Sequence, residues 1–304
     1  MSQLEIVADY GDQCGECPVW DDAASVLYWT DLTTRKFYRY ERKTGRHGLV
    51  HAGFPVCGFA LNRGGGFVVT NEEGVWVWDG GGQHKRILGE IAGRPCSLND
   101  CTADPRGRLL TGTWYYRPDV AYKPGYLIRL DPDGQAVVLD DGIHGANGLG
   151  FSPDGRTLYF TDTVIRTIYA YDYDAGAGAV SNRRVFVKVP GTEGLPDGLA
   201  VDAEGFVWSG RWYGSCVVRY DPTGREERRL TLPAKQVTSL AFGGDDFTEI
   251  FITSAAESGS LPIMPPGYDP TTGYFGGCLY RTNLGIPGKP VFRCEFPAPW
   301  AQAR

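Results

Sequence analysis

Four carboxylate or carboxamide side chains recur at one phase of this chain. Glu16, Asn99, Asn147 and Asp197 each stand five positions before a turn-forming residue, respectively Asp21, Asp104, Ser152 and Asp202. Two further copies of the phase, ahead of Asn62 and Gly243, carry Cys57 and Thr238. Two carboxylates and two amide carbonyls brought together make a hard-oxygen cage, the donor set that suits a divalent cation. Crowding two carboxylates without a cation is costly, because each disfavours ionisation of the other. Taken singly, Asn and Asp also begin strands and turns through local hydrogen bonds. Their recurrence in phase favours the cage.

The segments around these residues share one order: a polar residue, a small or apolar run, a turn, a second apolar run, then Ser or Thr. They are 16–31, 57–71, 99–114, 147–162, 196–212 and 238–254. Thr30, Thr70, Thr111, Thr161, Ser209 and Thr253 close the second runs, with gaps of 40, 41, 50, 48 and 44 residues. A strand-built period of roughly 40–50 residues is that of a propeller blade. Each copy is followed by another apolar or aromatic strand, such as KFYRYE or CVVRY, and by a less regular fourth one. Four antiparallel strands repeated six times predict an all-β fold, a six-bladed β-propeller spanning 1–304 as one domain. LEIVAD, ahead of the first full copy, resembles an outer strand without its blade and is expected to complete the last one. The Gly- and Pro-rich stretch 256–277 reads as an insertion between two strands of blade six.

In a propeller the first strand of each blade lines the central channel, so the residues just before it gather at one mouth. The second strand returns to the same rim. The residues there include Asp31, Trp114, Tyr115, Tyr116, Arg117, Asp162, Arg211, Trp212 and Tyr213. Aromatic faces beside Arg and Asp suit a polyhydroxylated ligand, since rings stack on C–H faces while charged groups bond hydroxyls. The same Trp and Tyr residues could instead pack between blades.

Composition narrows the function classes. Gly at 42 and Pro at 20 imply many tight turns, and 13% aromatic residues favour strands. A net charge of −6 without a Lys/Arg block argues against a nucleic-acid partner. No run of about 18 apolar residues suggests a membrane span. The N-terminus lacks a signal-peptide pattern, which points to the cytoplasm and to reduced thiols for the eight cysteines, the pair Cys14 and Cys17 included. His47, His51, His84 and His144 fall outside the repeated phase and read as surface or turn residues. Nucleophile-elbow, P-loop and dinucleotide-binding motifs are absent from the sequence.

Taken together, CGECPVWDDAASVLYWTDL, NDCTADPRGRLLTGT, ANGLGFSPDGRTLYFTDT, LPDGLAVDAEGFVW and VTSLAFGGDDFTEIFITSA resemble the regucalcin/gluconolactonase-like propellers, a family that includes sugar lactonases. The resemblance runs nearly end to end. It implies that Glu16, Asn147 and Asp197 bind one divalent metal, that Asn99 lies near substrate or metal, and that Asp197 is the general base. Departures concern the ligand side. Cys101 stands where the family's N-D-G-like segment has Gly, Ser97 where some members have a substrate-binding Arg, and WYYR where some carry an acidic residue. Arg117 or Arg211 is a candidate for the missing guanidinium, beside Trp114 and Tyr116.

The expected activity is hydrolysis of a pentono- or hexonolactone to the aldonic acid by a monomer or small homo-oligomer. Oxygen-only ligation leaves Ca²⁺, Mg²⁺, Mn²⁺, Fe²⁺ and Zn²⁺ open. The alternative is a non-catalytic metal-binding or protein-interaction propeller, since this architecture often serves as a scaffold.

Overall fold

The computed structural model describes residues 4–118, 120–256 and 263–300. Six four-stranded antiparallel sheets form a six-bladed β-propeller, and no helix occurs among the described residues. The channel-lining strands are Gly15–Asp21, Gly58–Leu61, Leu98–Ala103, Ala146–Phe151, Leu195–Val201 and Val237–Gly243. Each pairs with the strand that follows it, so both ends of this hairpin meet one rim, as the repeat predicts. The N-terminal strand Glu5–Asp9 pairs with Cys278–Asn283 as the outer strand of blade six. That ring closure is the one the sequence led us to expect. The insertion in blade six separates Glu249–Ser254 from Cys278–Asn283; its residues 257–262 lie outside the described residues.

Apolar faces meet between blades. Trp29 and Tyr38 of blade one pack with Phe251 and Leu279 of blade six, and Phe37 packs with Phe59, Phe67 and Trp78 of blade two. Trp29, Trp78 and Trp208 are completely buried. Fully burying a large apolar side chain contributes about 1.5–3 kcal/mol, so interblade packing is the main cohesive force.

Hydroxyls at the channel end of the hairpins add direction to it. Thr30 Oγ1 donates to the carbonyl of Val56, Thr70 to that of Asn99, Thr163 to that of Pro196, and Thr238 to that of Gly15. Each bond ties one blade to the entrance of the next blade's inner strand. Of the recurring residues of the sequence, Thr30 and Thr70 are thus interblade stitches, and Thr163 and Thr238, the latter in phase with the cage residues, serve the same end.

A feature without any periodic signal covers the far mouth. Residues 284–298 run across it and touch all six blades. Arg293 pairs with Asp21 and Asp22 of blade one, and the Cys294 amide donates to Leu61 O of blade two. Glu295 donates to Gly107 O of blade three, Phe292 meets Phe151 of blade four edge-on, Ala203 of blade five donates to Pro287 O, and Gly288 donates to Phe247 O of blade six.

At the seam where the ring closes, Asp12 is buried and accepts a bond from Trp29 Nε1 at 3.0 Å, while its Oδ1 has no partner. Desolvation, with the Asp31 charge nearby, pushes its carboxyl up to about 7. Because the folded value exceeds the unfolded value near 4, the group's stabilising contribution is complete at low pH and is lost as pH rises through 7. Asp12→Asn is expected to flatten the pH dependence of the melting temperature between pH 5 and 8, and to stabilise the fold at pH 8 by about 2–4 kcal/mol. An unchanged pH slope in calorimetry would refute the assignment.

Candidate metal and ligand site

The inner strands are not regular at the rim. Register shifts fall between Glu16 and Val19, Leu98 and Cys101, Asn147 and Leu149, Pro196 and Leu199, and Val237 and Leu240. In each, the inner strand has one residue more than its partner, which is a β-bulge. The entrance of blade two is regular. A bulge breaks the alternation of side chains, so consecutive residues can both face the axis. Glycine follows two of the cage residues for a packing reason. A Cβ at Gly148 would strike the Leu199 amide and the Asp197 carbonyl, and one at Gly198 would strike Ser239. Such close approach brings Asn147 and Asp197 into contact, with the Asn147 amide nitrogen donating to Asp197 Oδ1.

Glu16, Asn99, Asn147 and Asp197 line one cleft of about 310 Å³ at the mouth of the channel, with Ser97, Trp114, Arg117 and Trp212 on its walls. Asn99 is held by a bond from its amide nitrogen to Ala146 O at 2.9 Å, which leaves its carbonyl end for the cleft. Glu16 Oε2 accepts from the Cys17 amide at 3.1 Å. Burial raises the Glu16 carboxyl well above its ordinary value, and the charges of Asp197 and Asp100 raise it further. Burial and Asp100 likewise raise Asp197, opposed by the Asn147 bond and by Arg211.

Asp100 is the residue that sequence reasoning missed. Burial raises its carboxyl, and the thiol of Cys17 (3.0 Å) and the amide of Cys101 (2.7 Å) both donate to it. It directly follows Asn99, so regular alternation would send it to the opposite face; the bulge between Leu98 and Cys101 removes that alternation. Glu72, exposed at the rim, and Cys57 beside it also line the cleft. The Glu72 charge adds to burial in pushing the Cys57 thiol up to about 12.

Other rim residues lie where the sequence did not put them. Asp31 accepts from the amides of Gln13 and Cys14, and Asp162 from those of His144 and Gly145. Both fix the loop entering their blade. Tyr116 stands off the cleft wall and packs edge-on against Tyr122, and Tyr115 donates to Pro95 O. Arg211 also differs from expectation: it is completely buried, its guanidinium held by Ser209 Oγ, Gly210 O and the Tyr220 hydroxyl. Its sequence position at the rim says nothing of side-chain direction, and the strand turns it inward.

The cleft's donors fit a hard cation: two carboxylates and two amides, with no Lys or Arg ion-paired to Glu16 or Asp197 among the described residues. Among those residues no three carboxylate, imidazole or thiolate groups converge as a metal cluster, so an amide must complete any such set.

Fold and cleft together describe a propeller with an oxygen-lined axial pocket. Residues 14–256 match the family described as SMP-30/Gluconolactonase/LRE-like region, and the chain belongs to that family. It is 38% identical to the pentonolactonase XacC of Haloferax volcanii, over 95% of this chain and 97% of that one. It is 34% identical to regucalcin of Xenopus laevis, over 94% and 96%. Among solved structures, a calcium-binding regucalcin from Agrobacterium tumefaciens superposes with a TM-score of 0.81 at 25% identity, covering 98% of both chains.

The raised carboxyls have a measurable consequence. Both ionise near pH 4 when unfolded, so with chelator present their contribution to stability is lost as pH rises above that value through their folded values. Chelated protein is therefore expected to melt at lower temperature at pH 8 than at pH 5.5, by an amount beyond that due to Asp12. Calcium or manganese at 100 times its dissociation constant should restore about 2.7 kcal/mol at pH 8. Melting temperatures indifferent to both pH and cation would count against the site.

Proposed function

We propose that this protein hydrolyses a sugar lactone to its aldonic acid with the help of one divalent cation held by Glu16, Asn147 and Asp197. The observation that carries this reading is the convergence of Glu16, Asn99, Asn147 and Asp197 on one cleft. Membership of a family with a pentonolactonase relative supports it. When bound, the cation would polarise the lactone carbonyl as a Lewis acid and stabilise the negative charge that water attack places on its oxygen.

The chain's own groups supply the remaining chemistry. Asp197 takes a proton from the attacking water and returns it to the ring oxygen as the ester C–O bond breaks, giving a carboxylic acid and a hydroxyl. Its raised carboxyl suits a base that must also release its proton. The Asn99 carbonyl accepts a hydroxyl of the sugar. Trp114 and Trp212 form apolar walls for its C–H faces, and Arg117 offers donors at the outer rim. No covalent nucleophile is required. The thiol nearest the cage, Cys17, is pushed far up by burial and the Asp100 charge, and so stays protonated.

The regucalcin likeness favours a second reading, a propeller that binds a cation without turnover. Acid release from a panel of pentono- and hexonolactones, measured with and without chelator against spontaneous hydrolysis, separates the two. Under the lactonase reading Asp197→Asn lowers turnover by about 10²–10⁴-fold. Glu16→Gln instead weakens cation binding in titration calorimetry. Acid release at the background rate for every lactone would leave the binding reading.

A further inference from the structure

The insertion of blade six packs against one wall of the cleft. Its residues 263–277 leave their own blade and bond to two earlier ones. Arg166 of blade four donates from Nη2 to Ile263 O at 2.8 Å. Lys235, in the link from blade five to blade six, fastens the rest. Its Nζ donates to Asp269 O at 2.9 Å and to Thr272 O, and its amide donates to Tyr274 O. The Lys235 carbonyl accepts from the Ser215 amide. One residue thus joins the insertion to the loop that follows Trp212.

That loop is strained. Tyr213 has a φ of 68° and Ser215 one of 54°, in the left-handed region that bulky side chains avoid. The Tyr213 ring meets Trp212 edge-on at 5.9 Å between centroids and Tyr268 of the insertion at 4.6 Å. Leu195, Trp212, Tyr213 and Ala255 form one buried cluster, on which Ile263 and Tyr268 pack. Trp212 belongs to this cluster and also lines the cleft. Its indole Nε1 has no hydrogen-bond partner among the described residues, so packing sets the angle of its ring. The Tyr268 hydroxyl has none among them either, which leaves its ring to make the contact.

We propose that Tyr268 is a positioning residue: through Tyr213 it holds the Trp212 face on which the substrate lies, so that the insertion sets how tightly the cleft binds a lactone. This rests on the lactonase reading above. A wall held in place before binding loses less freedom when the sugar stacks on it, which strengthens binding without altering the chemical step.

The test measures KM, kcat and calcium affinity of the full chain for wild type, Tyr268→Ala, Tyr268→Phe and Lys235→Met, on the lactone that wild type opens fastest. Tyr268→Ala is expected to raise KM about two- to tenfold, with kcat and calcium affinity within about twofold of wild type. Tyr268→Phe keeps the ring and is expected to match wild type. Lys235→Met removes the bonds to Asp269 O and Thr272 O and is expected to raise KM as well. It decides the matter if Tyr268→Ala does not fold. A merely structural tyrosine would lower the melting temperature and leave KM where it is. An unchanged KM in the deciding variant overturns the proposal, and so does a Phe variant as weak as the Ala one. A loss confined to kcat or calcium affinity also overturns it, because the insertion would then brace the cage and not the wall. Wild type that opens no lactone refutes the lactonase reading instead. The lactone's dissociation constant then replaces KM in the same comparison, and a wild type that binds no lactone overturns this proposal too.

Discussion

One extra residue in an inner strand is the constraint from which the site follows. A regular strand pointing down a channel alternates its side chains and can give the axis only every second residue. At blades one, three, four and five the bulge suspends that rule where the strand enters the channel. Glu16, Asn99, Asp100, Asn147 and Asp197 lie at these irregular points. Blade two, with a regular entrance, carries Cys57 at the repeated phase and no oxygen donor there. In blade six the bulged residue Thr238 is taken up in stitching the ring. The chemistry thus depends on a backbone irregularity that the surrounding ladder and the interblade threonines hold in place.

That irregularity also explains which features were legible in the sequence. The six-fold unit, the closing N-terminal strand and the phase of Glu16, Asn147 and Asp197 follow from a period that survives one added residue per blade. Asp100 was hidden because a reader who assumes alternation sends it away from Asn99. Asp31 and Asp162 looked like ligand contacts, but carboxylates beside loop amides satisfy backbone donors first. Arg211 could be placed at the rim but not aimed, since side-chain direction depends on local register. The segment 284–298 has neither apolar alternation nor repeat, because its bonds go to six different blades instead of one neighbouring strand.

The site is electrostatically expensive for the fold that carries it. Burial raises the carboxyls of Glu16 and Asp197 at the cleft, and of Asp100 next to Cys17, above their ordinary values, which is the cost of taking charge out of water. Packing elsewhere offsets this cost: the interblade tryptophans and phenylalanines bury large apolar areas. The division is spatial. Cohesion lies in the layers between blades, and strain lies at the axis, where the glycines after Asn147 and Asp197 let backbones approach closely.

The belt formed by residues 284–298 has a consequence for synthesis. A chain emerging from the ribosome in order makes five blades before it can make the contacts that bind them into a ring. Blade six needs the first strand and nearly the last, and the belt that fastens all six comes out later still. Contacts of such sequence separation form slowly, after much loop-closure entropy has been lost. Until residues 284–298 are made the nascent propeller is an open arc with two uncovered end faces, so that its exposure to misassociation is set by the interval before that belt arrives.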